Sequence, residues 1–144
     1  MMRTVNEIEI TVPGVPIAKK RPRFVRRGKF VGTYNCQDTE EGKFKWDLLR
    51  AILPCRDGEE PLFLSGEAVS LTVTFYMPIP SSISQKKRAD LYWHVKKPDS
   101  DNLLKFLKDC GNGVLWVDDS QVCHVEARKI YSDNPRTEIE MEVL

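Results

Sequence analysis

The stretch KPDSDNLLKFLKDCGNGVLWVDDSQV, residues 97–122, gathers acidic residues among apolar ones. Four of its carboxylates stand in two pairs, Asp99 with Asp101 and Asp118 with Asp119. Lys105 follows the first pair, and a Gly-Asn-Gly break precedes the second. Polar turns do not need carboxylates flanked so closely by Leu, Trp and Val, so the pattern indicates a functional site.

The first half of this stretch predicts a helix. Pro98 favours an extended conformation at the residue before it, and one of residues 99–101 can be the N-cap of a helix that ends near residue 110. The side chains expected to face inward are those of Leu103, Leu104, Leu107 and Cys110. If Asp101 opens the helix, Lys105 lies one turn further along on the same face.

The second half predicts a short strand. The segment VLWV, residues 114–117, is apolar and ends at Asp118 and Asp119. Successive side chains of a strand point to opposite faces of its sheet. We therefore expect only one of these two acids to join Asp99 and Asp101.

Three convergent carboxylates would make a set of oxygen ligands that suits Mg²⁺, which keeps several waters and can bind a substrate phosphate. Such a metal activates water and neutralises charge that builds up on a phosphoryl group. Lys105 would add a compact positive charge beside it. Each residue alone also has an ordinary explanation, with Asp99 as a helix cap, Lys105 as a surface lysine and residues 118–120 as a polar turn.

The net charge of +1 hides a segregation of charge along the chain. Residues 17–30 contain no acid, and their basic residues are Lys19, Lys20, Arg21, Arg23, Arg26, Arg27 and Lys29. Residues 85–97 contain one acid, Asp90, and their basic residues are Lys86, Lys87, Arg88, Lys96 and Lys97. Two such runs suit a polyanionic partner attracted to a positive surface, although solvated loops would show the same composition.

The remaining pattern predicts an α+β domain, with a single mixed β-sheet and helices packed on it, over residues 1–144. The first half should contain a strand at residues 6–12, a basic loop or loose hairpin, and a helix from an N-cap at Asp38, with Glu41 at N3, to about Leu53. The second half should contain a strand with Val69, Leu71, Val73, Phe75 and Met77 inward, a short helix from Ser81 to about Trp93, and a closing hairpin that opposes Cys123, Val125 and Ala127 to Ile139, Met141 and Val143.

Several classes of function find little support in the composition. No apolar run reaches about 18 residues and the first residues lack the core of a signal peptide, so we expect a cytoplasmic protein with no membrane partner. The cysteines Cys36, Cys55, Cys110 and Cys123 are widely spaced, which favours buried thiols over a zinc site or disulfides. His94 and His124 are the only histidines in the sequence, which is a small number for a histidine-based catalytic mechanism or zinc site.

The stretch at residues 97–122 resembles the signature of the RusA family of Holliday-junction resolvases, found widely in prophages and their bacterial hosts. That signature reads K-P-D-x-D-N-L-x-K, then a helix, an N-G turn and W-x-D-D-S-Q, and this sequence matches it from Lys97 through Gln121. The upstream segment GVPIAKKRPRF, residues 14–24, resembles the early basic loop of the family. One departure is the pair Cys110-Gly111, where related sequences usually carry Ala-Leu.

The resemblance implies a homodimeric, Mg²⁺-dependent endodeoxyribonuclease, with Mn²⁺ as a possible substitute. Such an enzyme resolves Holliday junctions by paired symmetric nicks in DNA recombination and repair. The metal ligands carried over from the family would be Asp99, Asp101 and Asp119, and the essential lysine Lys105. Asn102 would brace the acidic loop, Asp118 would be an auxiliary neighbour, and the two basic runs would bind DNA. The alternatives are a flap or other branched-DNA nuclease and a non-catalytic junction-binding accessory protein of recombination.

Overall fold

The computed structural model of the protein describes residues 6–21, 23–34, 36–56 and 58–144. The strands are β1 (Glu7–Pro13), β2 (Arg23–Arg27), β3 (Phe30–Tyr34), β4 (Val69–Pro78), β5 (Val122–Ser132) and β6 (Arg136–Val143). The helices are α1 (Asp38–Ile52), α2 (Gln85–Arg88) and α3 (Ser100–Gly111), with short 3₁₀ helices at Leu53–Cys55 and Asp119–Gln121. None of the helices in these described ranges is long and apolar enough to cross a membrane.

Strands β1, β6, β4 and β5 form, in that order, the four-stranded sheet of the described chain. The pairs β1–β6 and β6–β4 are antiparallel, whereas β4–β5 is parallel. Strands β2 and β3 form a separate antiparallel hairpin, which is one of the two forms predicted for the basic segment. The predicted α+β class with a mixed sheet is confirmed.

The centre of the core is the inner face of β4. Its alternation is the predicted one, with the buried residues Val69, Leu71, Val73, Phe75 and Met77. Two helices cover this face, α1 through Phe44, Leu48 and Ile52 and α3 through Leu103, Phe106, Leu107 and Cys110. Full burial of one such aliphatic or aromatic side chain is worth about 1.5–3 kcal/mol. Leu104, predicted to face inward, is only half-buried, and Phe106 takes the deeper position.

Helix α1 begins one residue away from the predicted cap. Its N-cap residue is Gln37 and not Asp38, and the Gln37 side chain makes no capping hydrogen bond. Instead its amide is buried, accepts from the backbone N–H of Lys20 at 2.7 Å, and donates to the carbonyl of Ala18 at 2.8 Å. The predicted cap at Asp38 was wrong because the Gln37 side chain makes hydrogen bonds to backbone groups of residues 18 and 20, which the local sequence around α1 does not reveal. As a result, the segment that enters the basic hairpin is tied to α1.

The predicted closing hairpin of β5 with β6 is wrong, because β4 lies between these strands. Thr137, Ile139 and Met141 of β6 are buried, so this strand takes an inner place between β1 and β4. On β5 both Cys123 and Ala127, which were expected to face inward, are exposed. A strand with little apolar surface is better placed at an edge, where one side meets solvent.

The predicted strand over residues 114–117 is also wrong. Val114, Leu115 and Trp116 are all buried, in a turn with an isolated bridge from Asn112 to Trp116. The carbonyls of Val114 and Leu115 accept from the backbone N–H groups of Leu62 and Phe63 at 3.0 and 2.8 Å. The Gly111 carbonyl accepts from the backbone N–H groups of Val114 and Leu115 at 3.0 and 2.8 Å, so the chain folds back on the end of α3 as a turn and does not extend as a strand.

The helix predicted from Ser81 shrinks to the four residues of α2, capped by Ser84. Residues 92–94 instead run beside the outer edge of β5. Tyr131 N–H donates to the Tyr92 carbonyl at 2.8 Å, and His94 N–H donates to the Lys129 carbonyl at 3.2 Å. Edge-strand backbone groups need partners, and this extended segment supplies them.

The cysteines are all free thiols, and Cys110 is the buried one that the sequence predicted. Burial raises the pKa of the Cys110 thiol to about 12, so it stays protonated and inert. Cys55 and Cys123 are exposed, and Cys36 is half-buried, which corrects the expectation of four buried thiols. Cys123 lies on the edge strand β5, and Cys55 ends the 3₁₀ helix that follows α1.

The end of α3 leaves no room for a side chain at Gly111, where an added Cβ would lie 2.8 Å from Cζ2 of Trp116. Because Trp116 is fully buried, it cannot move aside. We expect Gly111→Ala to reduce the free energy of unfolding by about 1–3 kcal/mol. Urea denaturation measures this change.

Gly42 provides the matched control, because it lies in α1 and an added Cβ would meet nothing within 4 Å. Gly42→Ala should stabilise the protein by about 0.5–1 kcal/mol through helix propensity. Equal effects of the two substitutions would contradict the tight contact between Gly111 and Trp116.

Candidate functional site

Helix α3 has a buried apolar face and an exposed polar face, here called the polar ridge, that carries Asp101 and Lys105. Asp101 stands in its first turn and is exposed, in a position where the helix dipole favours a negative charge by about 0.3–1 kcal/mol. Lys105 follows one turn later and is also exposed. Asp99 is the N-cap residue, yet its carboxylate makes no capping hydrogen bond. The ordinary explanation of Asp99 as a side-chain helix cap therefore does not describe this helix.

An open surface cavity of about 360 Å³ lies against this ridge. It is lined by Asp101, Leu104, Lys105, Lys108, Asp109 and Asp119. The fold thus brings Asp101, Lys105 and Asp119 to one cavity, although 13 residues lie between Lys105 and Asp119 in the sequence. Asp99 and Asp118 do not line it. Across the described ranges, no three Asp, Glu, His or Cys side chains converge closely enough to hold a metal ion ready-made.

Asp118 and Asp119 belong to a capped turn. Asp118 is the N-cap residue of the 3₁₀ helix Asp119–Gln121, and its carboxylate accepts from the backbone N–H of Ser120 at 3.0 Å. Hydrogen bonds from the Ser120 side chain and backbone lower the pKa of Asp118. Asp118 faces a second surface cavity, shared with Glu67, and Asp119 faces the first. The two acids point in different directions, as predicted. The cause is the capped turn, however, and not the alternation of side chains along a strand.

Gln121 holds this turn in place. Its side-chain carbonyl accepts from the backbone N–H groups of Val117 and Asp118 at 2.9 and 3.1 Å. Its amide donates to the carbonyls of Leu64 and Glu67 at 2.8 and 3.1 Å. The turn that carries Asp119 is therefore fastened to the loop before β4.

Lys129 on β5 holds the segment that leads into Asp99. Its ammonium donates to the carbonyls of Lys96 and Pro98 at 2.7 and 2.6 Å. Burial, and then the charge of Lys129, lowers the pKa of His94, which leaves that ring neutral at pH 7. Nothing in the local sequence distinguishes Lys129 from other strand lysines, because its role depends on which segment lies beside the edge of the sheet.

Lys19 connects the basic segment to both helices. Its ammonium lies 3.0 Å from a Glu41 carboxylate oxygen and 3.2 Å from an Asp109 carboxylate oxygen, and its backbone N–H donates to the Asn102 carbonyl at 2.8 Å. Burial alone would lower the pKa of Lys19, but the hydrogen bonds to Glu41 and Asp109 outweigh it and raise this pKa. Lys19 is thus engaged inside the fold and is less available to an outside phosphate than its neighbours.

The other basic residues differ in their availability. Within the two basic runs, the exposed residues of the described chain are Lys20, Arg21, Arg26, Lys29, Lys86, Lys87, Lys96 and Lys97. Arg88 and Lys20 each form an ion pair within the protein. The Arg88 guanidinium lies 3.2 Å from an Asp133 carboxylate oxygen, and the Lys20 ammonium lies 3.7 Å from a Glu40 carboxylate oxygen. Arg23 and Arg27 belong to β2, but their side chains lie outside the described part of the structure.

Comparison with known proteins gives a consistent result. The family model described as Endodeoxyribonuclease RusA matches residues 13–142. The chain is 33% identical over 139 residues to a Bacillus subtilis (strain 168) protein named "Uncharacterized protein YqaN", which covers 92% of this chain and 93% of that protein. It is 39% identical over 74 residues to "Crossover junction endodeoxyribonuclease rusA" of Lactococcus phage r1t, which covers 51% of this chain and 53% of the phage protein.

Proposed function

Because the chain belongs to the RusA endodeoxyribonuclease family, we propose that it resolves four-way DNA junctions by metal-dependent hydrolysis of phosphodiester bonds. The observation that carries this proposal is the cavity shared by Asp101, Lys105 and Asp119. Two carboxylates beside an exposed lysine on one open surface suit a phosphodiester, whose reaction builds negative charge on oxygen. The phage relative is named for the same chemistry.

The donor set at the cavity fits a divalent cation. Carboxylate oxygens are the ligands that Mg²⁺ and Mn²⁺ take from proteins, and an open cavity leaves space for water and a phosphate. Asp101 and Asp119, which line the cavity, would hold the metal. Asp99 lies outside the cavity lining, but its carboxylate makes no capping hydrogen bond, and it would turn toward the cation as the third ligand. The bound cation would supply charge neutralisation and an activated water.

The residues of the chain itself would do the rest. Lys105 would place a point charge against a phosphate oxygen in the same cavity. The backbone carbonyl of Asn102 accepts from the backbone N–H of Lys19. Asn102 would thereby brace the acidic end of α3 against the basic segment. Lys129 would hold the backbone before Asp99. Asp118, turned toward the second cavity, would support the turn and would not contact the metal.

DNA binding is assigned to the two basic runs. Their exposed lysines and arginines would contact phosphates and supply most of the affinity, with a slope of about −0.9 in log K against log salt for each contact. Arg23 and Arg27 are included because they lie on the same hairpin as Arg26. Lys19 and Arg88 would contribute less, because acidic groups of the fold already engage them.

Paired symmetric nicks require two active sites. A four-way junction has approximate two-fold symmetry, and a homodimer presents two equivalent sites related by the same operation. We therefore propose a homodimer that acts during DNA recombination and repair. The phage relative supports a setting in the cytoplasm of a bacterial or phage-infected cell.

The two neighbouring acids provide a test of the site. Asp119→Asn should nearly abolish nicking of a synthetic four-way junction in Mg²⁺ or Mn²⁺, because it removes a ligand charge from the cavity. Asp118→Asn, the matched control, should lose far less activity, because its carboxylate faces elsewhere. Gel analysis of labelled junction strands measures both rates. Binding without nicking by the wild-type protein would favour the accessory-protein alternative, and equal losses in the variants would contradict the assignment of Asp119.

Lys105 and Lys108 provide a second matched pair, since both line the cavity from the same helix. We expect Lys105→Arg to bind junctions normally but to nick them about 10²-fold more slowly, because a planar guanidinium cannot place its charge where the ammonium does. Lys108→Arg should nick at nearly the wild-type rate. Single-turnover cleavage measures both, and near-normal cleavage by Lys105→Arg would make Lys105 a structural residue.

A further inference from the structure

Two large aromatic side chains lie on the surface of the segment that precedes Asp99. Tyr92 is 53% exposed and Trp93 is 60% exposed. Their rings meet edge to face, with centroids 4.9 Å apart and planes at 84°. Val95, two residues further, is 84% exposed. Contiguous exposed apolar groups commonly mark a binding surface.

The backbone beneath these rings is held in place. The Tyr92 carbonyl accepts from Tyr131 N–H at 2.8 Å, and Trp93 forms a bridge with Ile130 of β5. The His94 ring lies 4.9 Å from the Tyr131 ring. The backbone that carries the aromatic pair is therefore fixed to the edge of the sheet, and a ligand would have to order only the two side chains.

The charge around the pair fits a nucleotide. The exposed side chains of Lys86, Lys87, Lys96 and Lys97 flank it along the chain. The six steps along the chain from Trp93 to Asp99 can span at most about 20 Å, so the aromatic surface lies within reach of the acidic end of α3. An aromatic face beside lysines combines base stacking with phosphate contact, the combination that binds unpaired nucleotides.

We propose that Tyr92 and Trp93 form a stacking platform for an unpaired DNA base next to the cleavage site. The proposal rests on the proposed function, in which the substrate is a branched DNA. Bases inside a duplex are stacked on their neighbours and cannot meet this surface, whereas bases at a branch point or in a single strand can. The platform would thus favour branched DNA over uninterrupted duplex.

The test measures binding without metal and without cleavage. The probes are a labelled single-stranded oligothymidine, a four-way junction with 2-aminopurine at the branch point, and a duplex of the same length. Trp93→Leu should weaken oligothymidine binding by about 10-fold or more and leave duplex binding within about 2-fold. It should also abolish the quenching of branch-point 2-aminopurine, while the salt dependence of duplex binding stays unchanged.

Trp46→Leu is the matched control, because Trp46 is 61% exposed on α1, outside both basic runs. It should bind all three probes like the wild type, and Trp93→Phe should keep most of the oligothymidine affinity by retaining an aromatic face. Circular dichroism checks that each variant folds, and Trp93→Phe keeps the test valid if Trp93→Leu does not. Equal behaviour of Trp93→Leu and Trp46→Leu, or a change confined to the oligomeric state of the protein, would overturn the proposal.

This experiment separates the platform from the proposed nuclease activity. A protein that never nicks junctions but binds oligothymidine through Trp93 would contradict the proposed function and support the platform. A protein that nicks junctions normally and binds oligothymidine independently of Trp93 would support the function and overturn the platform.

Discussion

The contact between the indole of Trp116 and the backbone of Gly111 determines how the candidate site is assembled. Trp116 is fully buried, and its Nε1 donates to the Asn112 side-chain oxygen at 3.0 Å. This contact fixes the end of α3 to the turn that leads to Asp119. Because the apolar face of α3 is buried at the same time, its polar ridge must face outward, and Asp101 and Asp119 come to the same cavity.

Some basic residues of the chain stabilise the fold, whereas others are exposed and can bind a partner. Lys19 and Lys129 are used inside the fold, where they bind carboxylates or backbone carbonyls and hold the segments that border the site. Exposed residues such as Lys29 and Lys97 keep their charge available to a partner. A charge already bound within the protein cannot be counted toward phosphate binding without the cost of breaking its contacts. The count of basic residues in the sequence therefore overstates the number available to DNA.

The sequence predicts the local parts of this structure well and the long-range parts poorly. The alternation in β4 and the apolar spacing of α3 fix which faces are buried, because burial follows from the periodicity of each element. The same periodicity does not say which strands are neighbours, so the placement of β4 between β5 and β6 was missed. The holding contacts of Gln121 and Lys129 were missed for the same reason, since their partners lie far away along the chain or on another element.

We propose that Asp101 and Asp119 bind one divalent cation, and the position of bound Mn²⁺ would decide whether they do. Paramagnetic broadening of amide NMR signals should be strongest at Asp101, Lys105 and Asp119, and it should disappear in the Asp101→Asn, Asp119→Asn double variant. The main competitor is the outer face of the sheet, where Glu7 opposes Glu142 and Glu9 opposes Glu140. Broadening centred on those glutamates, and unchanged in the double variant, would contradict the account.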